Sequence, residues 1–249
     1  MLDLLQCEYR KLKRSAFLLI GLAGTLIVPI FVIVKSVLTY FSNPEAAISL
    51  FSLYDGALMF LMLLFGPLFL TILGSWIISR EYTDGTLKNI FVIPVSKAAF
   101  LCGKLLFFAL LSLSFMLVSC LEILALAFLV RLFLPVAELT VPSVLYFLLK
   151  MLYGGLLLFA AQTPLIYLAI RTKGFVAPMV AVAAILLINV VLSNSVAAGY
   201  YPWSAAYLLV TGRFAGQSCP KEVSLLILLV LCLVGIAAGV LRFQGDETV

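Results

Sequence analysis

The sequence predicts an all-α integral membrane protein of six transmembrane helices. Of its 249 residues 65% are hydrophobic and only 11% are charged, whereas an average soluble domain is about half apolar and about a quarter charged. A water-soluble core of this size cannot hide so much apolar surface. Uncharged stretches of membrane-spanning length, roughly 20 residues, recur along the whole chain, and no soluble domain interrupts them. The simplest reading is one transmembrane domain over 1–249.

The elements follow in order. Residues 1–14 form an amphipathic segment, with Leu2, Leu5, Tyr9 and Leu12 on one stripe, Glu8 and Lys11 beside it, and a basic run of Arg10, Lys11, Lys13 and Arg14. A basic run before an apolar stretch has the outline of a signal peptide. Here the stretch at 15–34 is of full span length and apolar segments continue behind it, so it reads as a first span. The spans are expected at about 15–36, 57–79, 101–130, 144–170, 175–193 and 223–241. The uncharged stretch at 174–212 exceeds one span. Its second half carries Ser193, Asn194, Gly199, Tyr200, Tyr201, Pro202 and Trp203, which are turn and interface residues. It is read as short re-entrant helices on the outer face, because a second full span would leave almost no turn.

Lysine and arginine set the orientation. With the amino end inside, the cytoplasmic set is Arg10, Lys11, Lys13, Arg14, Arg80, Lys88, Lys97, Lys104, Arg171, Lys173 and Arg242; the outer set is Lys35, Arg131, Lys150, Arg213 and Lys221. The excess inside places both ends in the cytoplasm.

The chain has no histidine, the commonest general base and zinc ligand. Its five cysteines, Cys7, Cys102, Cys120, Cys219 and Cys232, form no CxxC pair and no metal spacing. A catalytic role is not expected. Nor is a phosphate-cradling loop encoded. The GK pair Gly103-Lys104 is followed by Leu105, and Ala98 stands where the first glycine of GxxxxGK[ST] belongs.

The most informative stretch is the predicted cytoplasmic loop 80–97. Gly85 suits a position needing a positive φ or close backbone approach. Leu87, Ile90, Phe91 and Pro94 follow helical spacing and predict one short amphipathic helix ended by the proline. Asp84 and Lys88 are four apart and can pair across a turn. Such a helix is either a docking knob for a soluble partner or an interfacial cap on the bundle. The pattern Glu81-x3-Gly85-Thr86-Leu87, then Pro94-Val95-Ser96-Lys97, then Gly103-Lys104 resembles the signature loop of type-2 ABC transporter permeases, which reads E-x3-G-T-L, P-[VI]-S-R and G-K. Size and layout are similar to the bacitracin-transport and lantibiotic-immunity permeases. Lys97 departs from the usual arginine, keeping the charge and losing the bidentate fork.

The resemblance implies that Glu81, Asp84, Gly85, Thr86, Leu87, Lys88 and Phe91 belong to a coupling helix seated in a groove of a separate ATP-binding cassette subunit. It implies a second permease subunit, identical or different, with ATP and Mg carried by the ATPase and no cofactor bound by this chain. The amino-terminal segment becomes an interfacial connecting helix. Tyr200, Tyr201, Pro202 and Trp203 become part of an outer gate, beyond the interface anchoring that any aromatic cluster suggests. A bacterial plasma membrane location follows from the family, and no nucleic acid is expected.

Polar groups inside the spans are few. Glu122 lies roughly 27 Å along a helix from Lys104 and Lys150 roughly 12 Å into the fourth span from outside. At similar depth they are expected to pair, or to form a polar patch on a transport route, or to snorkel. Gln162, with Thr163 and Pro164, and Asn189 read as interhelical hydrogen-bonding groups or as lining for a cargo. Pro29, Pro67, Pro164 and Pro178 are expected to kink or loosen spans.

The resemblance implies an export permease driven by a partner ATPase, and a largely apolar chamber with few fixed charges suits an amphipathic peptide antibiotic or lipid-like molecule as cargo. A non-transporting scaffold or sensor subunit of an ABC-like complex is an alternative. So is a secondary transporter, although the scarcity of midplane ionisable groups speaks against it.

Overall fold

The structure, a computed structural model, describes residues 2–43, 48–83, 85, 96–137 and 139–245. The predicted coupling segment at Asp84, Thr86, Leu87, Lys88 and Phe91 lies outside the described residues. Helix α1 (Leu2–Lys13) is followed after a short turn by α2 (Phe17–Ser42). Next come strand β1 (Ile48–Ser49), helix α3 (Leu50–Phe60), a π-helical segment (Leu61–Phe65) and α4 (Gly66–Thr83). Then follow α5 (Lys97–Arg131), β2 (Val136–Ala137), α6 (Val141–Thr172) and α7 (Val176–Leu192). A 3₁₀ turn (Ala198–Tyr200), α8 (Pro202–Thr211) and α9 (Lys221–Gln244) complete the chain.

Among the described residues five helical segments are long and apolar enough to cross a membrane: Phe17–Ser42, Leu50–Thr83, Lys97–Arg131, Val141–Thr172 and Lys221–Gln244. Helix α7, predicted as the fifth span, is apolar but has only 17 residues. At 1.5 Å per residue it reaches about 25 Å, the lower limit for crossing the hydrocarbon. The other spans begin or end several residues beyond their uncharged stretches, because a helix does not stop at the membrane boundary. The second starts at Leu50 rather than near 57, capped by Ser49 Oγ, which accepts from Ser52 N–H at 3.1 Å.

The region between α7 and α9 contains no further span. The 3₁₀ turn and the ten residues of α8 take its place. Proline at the first position of α8 and Gly212 at φ 74° beyond its end mark its limits. Every residue from Trp203 to Val210 is buried, the pattern of a helix enclosed on all sides. It packs against α6, α9 and the π segment.

Two short strands, not anticipated in an all-helical reading, join the α2–α3 and α5–α6 connections as a parallel pair with Ile48 opposite Val136. The core lies between α6 and its neighbours α4, α5, α8 and α9. Close approach there needs glycine. A Cβ on Gly235 of α9 would stand 2.6 Å from Thr163 Oγ1 and 2.9 Å from its backbone carbon, and Gly239 one turn on faces Ile170 at 3.3 Å. Gly235-x3-Gly239 is thus a small-residue seam against α6.

Candidate functional site: a buried ion cluster and a break in the second span

The signature residues that are described do structural work on both sides of the loop. Ser96 caps α5, its hydroxyl accepting from Ala99 N–H at 3.2 Å. Gly85, just beyond α4, has φ 63°, and among the described residues a Cβ there would meet nothing within 4 Å, so its role there is conformational. Gly103 lets α1 lie against α5, since a Cβ there would already be 3.3 Å from Leu4.

Lys104, one residue further, is 3% exposed and donates three times: to Glu8 Oε1 at 3.0 Å, to Glu81 Oε1 at 3.0 Å and to the Ile77 carbonyl at 2.9 Å. These contacts use all three ammonium protons. Lys11 closes the cluster, 2.6 Å from Glu81 and 3.3 Å from Glu8. Two carboxylates and two ammonium groups therefore tie α1, α4 and α5 together, with formal charges that cancel. Burial alone lowers the pKa of Lys11, but the hydrogen bond to Glu81 and the attraction of Glu8 and Glu81 outweigh it and leave that pKa raised. Arg80 adds a bond from its guanidinium to the Lys11 carbonyl at 3.4 Å and lies over Trp76.

Glu8 and Lys104 escaped the sequence reading as a pair because they are 96 positions apart. Glu8 read as a flanking charge, whereas the buried side of α1 runs through Glu8 and Leu12, with Leu4 and Leu5 partly covered. Tyr9, expected on the apolar stripe, is 59% exposed.

The second cluster lies at the π segment. Gly66 donates its N–H to Leu61 O, five residues back, and a Cβ at Gly66 would fall 2.2 Å from that oxygen. Pro67 has no N–H, so the carbonyl of Leu63, four residues before it, loses its helical donor. Asn189 of α7 supplies one, with Nδ2 at 2.7 Å from Leu63 O, while its Oδ1 accepts from Ser204 of α8 at 2.5 Å. Gln162 of α6 donates to Pro67 O at 3.2 Å and accepts from Thr71 at 3.0 Å. The two amides expected to hydrogen-bond between helices both do so, at one break in one helix.

The pairing of Glu122 with Lys150 is not formed. Glu122 faces α2, where its Oε1 accepts from Thr25 at 3.1 Å; Ser119 donates to the Thr25 carbonyl beside it. Lys150 lies over the Tyr146 ring at 4.6 Å, one turn back on its own helix. Helical rotation, which depth along the axis does not reveal, turns the two apart.

The aromatic cluster divides as well. Tyr200 is 49% exposed, but Trp203 and Tyr207 are buried. Tyr201 donates to the Ile185 carbonyl at 3.1 Å. Arg213 bridges the Tyr207 hydroxyl and Asp55, joining the end of α8 to α3. Pro202 opens α8. Among the described residues no group of side chains has the arrangement of a metal site.

Residues 4–193 match the family described as ABC-2 family transporter protein. The chain is also 24% identical over 212 residues to the bacitracin transport permease protein BCRB of Bacillus licheniformis, covering 81% of this chain and 94% of that protein.

Proposed function

Because the chain belongs to the ABC-2 family of transporter proteins, we propose that it is the membrane subunit of an ATP-driven exporter. In this reading six spans, α7 included, cross a bacterial plasma membrane with both chain ends in the cytoplasm. The coupling helix expected in the loop 80–97 docks in a separate ATP-binding subunit that carries ATP and Mg. A second permease subunit completes the path. The cargo is an amphipathic peptide antibiotic or a lipid-like molecule, by analogy with the bacitracin permease relative.

The observation that carries the reading is the ion cluster at the base of the loop. Glu81 stands in the last turn of α4 and Lys104 in the first turns of α5, so both stems of the loop are clamped to each other and to α1. A loop on a rigid base can transmit a push to two spans at once. A loop on frayed helix ends would absorb it.

Co-purification tests it. The wild-type chain should retain a soluble ATPase, and Gly85→Arg or Leu87→Glu should weaken that retention or uncouple ATP hydrolysis from transport. Unchanged binding and coupling in both variants would remove the docking role. Docking that persists with no cargo moved would leave the scaffold or sensor role instead.

A further inference from the structure

We propose that the cleft between α1 and the end of α4 is a binding site for the phosphate of an anionic phospholipid headgroup. It rests on the reading of α1 as lying along the inner membrane surface. Gln6, Cys7, Arg10, Lys11, Arg14 and Arg80 line an open cleft of about 400 Å³. Four of these six are cations. Among the described carboxylates, those nearby are Glu8 and Glu81, which are buried and already bound by Lys11 and Lys104. Arg10 and Arg14 are exposed and make no ion pair among the described residues. Positive charge is thus left over on the cleft wall.

The depth of the cleft selects a lipid as its occupant. Trp76 stacks on Phe17, the first residue of α2, with ring centroids 4.9 Å apart. A tryptophan packed where a span emerges marks the level of the headgroups. Arg80, one turn beyond on α4, lies over the same indole at 5.2 Å. The cationic wall therefore begins one helical turn from the edge of the hydrocarbon, where lipid phosphates lie. Guanidinium groups suit a phosphate, offering paired donors to two of its oxygens. Basic residues on an interfacial amphipathic helix attract anionic lipid in general; here a second element, α4, adds a wall and makes a defined cleft. A headgroup seated there would brace α1 against α4 beside the ion cluster.

The test is lipid retention by the purified full-length chain, extracted from bilayers of equal parts phosphatidylglycerol and phosphatidylcholine and analysed by native mass spectrometry. Wild type should retain phosphatidylglycerol over phosphatidylcholine by about thirty-fold, the effect of two basic residues each contributing about a five-fold preference. The double variant Arg10→Gln, Arg14→Gln should lose most of that preference. Lys13→Gln, an exposed charge on the same helix that does not line the cleft, should keep it. Should the double glutamine variant fail to fold, Arg10→Lys with Arg14→Lys keeps the charge without the fork and should retain an intermediate preference.

Equal loss in Lys13→Gln would mean diffuse attraction and overturn the site. Displacement of the lipid by millimolar inorganic phosphate would make free phosphate the occupant and overturn it too. Unchanged lipid preference in the glutamine variant, with loss of ATPase co-purification, would assign the cleft to a protein partner. None of these readouts requires transport, so failure here and failure of the exporter reading are separable.

Discussion

Lys104 shows how one side chain can hold three helices. Its ammonium group is buried and every proton on it is used, so its removal strands Glu8 and Glu81 without their closest buried cation. Breaking a buried pair from one side costs about 3–5 kcal/mol. Lys104→Met should accordingly lower the thermal midpoint of the purified chain far more than Lys150→Met, whose ammonium makes no ion pair among the described residues and lies over a ring on its own helix. Lys11 carries a pH dependence. Its folded-state pKa is raised above the ordinary 10.5, so its contribution is complete below that value and disappears as pH climbs through the folded-state value. The stability difference between wild type and Lys11→Met should be flat from neutral pH to about 10 and shrink only in stronger alkali. For Glu122 and Lys150, which turn to different neighbours, a double-mutant cycle of Glu122→Gln and Lys150→Met should show additivity to within about 0.5 kcal/mol. A larger coupling energy would mean that the two side chains do meet.

Among the elements, the second span is the one built to be irregular. A π-helical stretch leads into Gly66-Pro67, and the carbonyl left without a donor is taken over by an amide from another helix. Such breaks are tolerated in a membrane only when the freed groups find partners, and π segments recur at functional positions. Asn189 also holds Ser204, so the break is linked to the short buried helix α8. Asn189→Leu leaves two polar groups unpaired and should cost about 1–2 kcal/mol. The measurement is thermal unfolding in detergent, and the expectation fails if Asn189→Leu is as stable as wild type. At the seam between α6 and α9, Gly235→Leu would drive a branched side chain into Thr163 and its backbone, 2.6–2.9 Å from where the Cβ must sit. It should prevent accumulation of folded protein, seen as loss of a monodisperse peak in size-exclusion chromatography, whereas Gly245→Ala, in contact only with its own helix end, should be tolerated.

For the whole molecule the number of crossings turns on α7. If its 17 residues cross, the carboxyl end is cytoplasmic; if not, that end is outside. In a cysteine-free background, a single cysteine at Gly245 should react with a membrane-impermeant thiol reagent only after permeabilisation. One at Gln217, in the connection between α8 and α9, should react in intact cells. Labelling of Gly245→Cys in intact cells would reverse the assigned orientation of α9 and leave α7 short of a full crossing.

The sequence by itself determined the class of protein and most of its segments. Hydrophobic runs of span length, turn residues at 193–203 and the loop signature are local, and locality is what a linear chain displays. The need for glycine at position 85, short helices in place of a further span after 193 and the bonding role of Gln162 and Asn189 were legible for that reason. Gly235-x3-Gly239 was also on view as a spacing and went unread. What only the tertiary structure decided is who meets whom. Glu8 with Lys104, Glu122 with Thr25 rather than Lys150, and Asn189 with the orphaned carbonyl of Leu63 all depend on how each helix is rotated about its axis. That rotation is set by the packing of neighbouring helices against one another, and an apolar span hydrophobic on every face carries no stripe from which to read it.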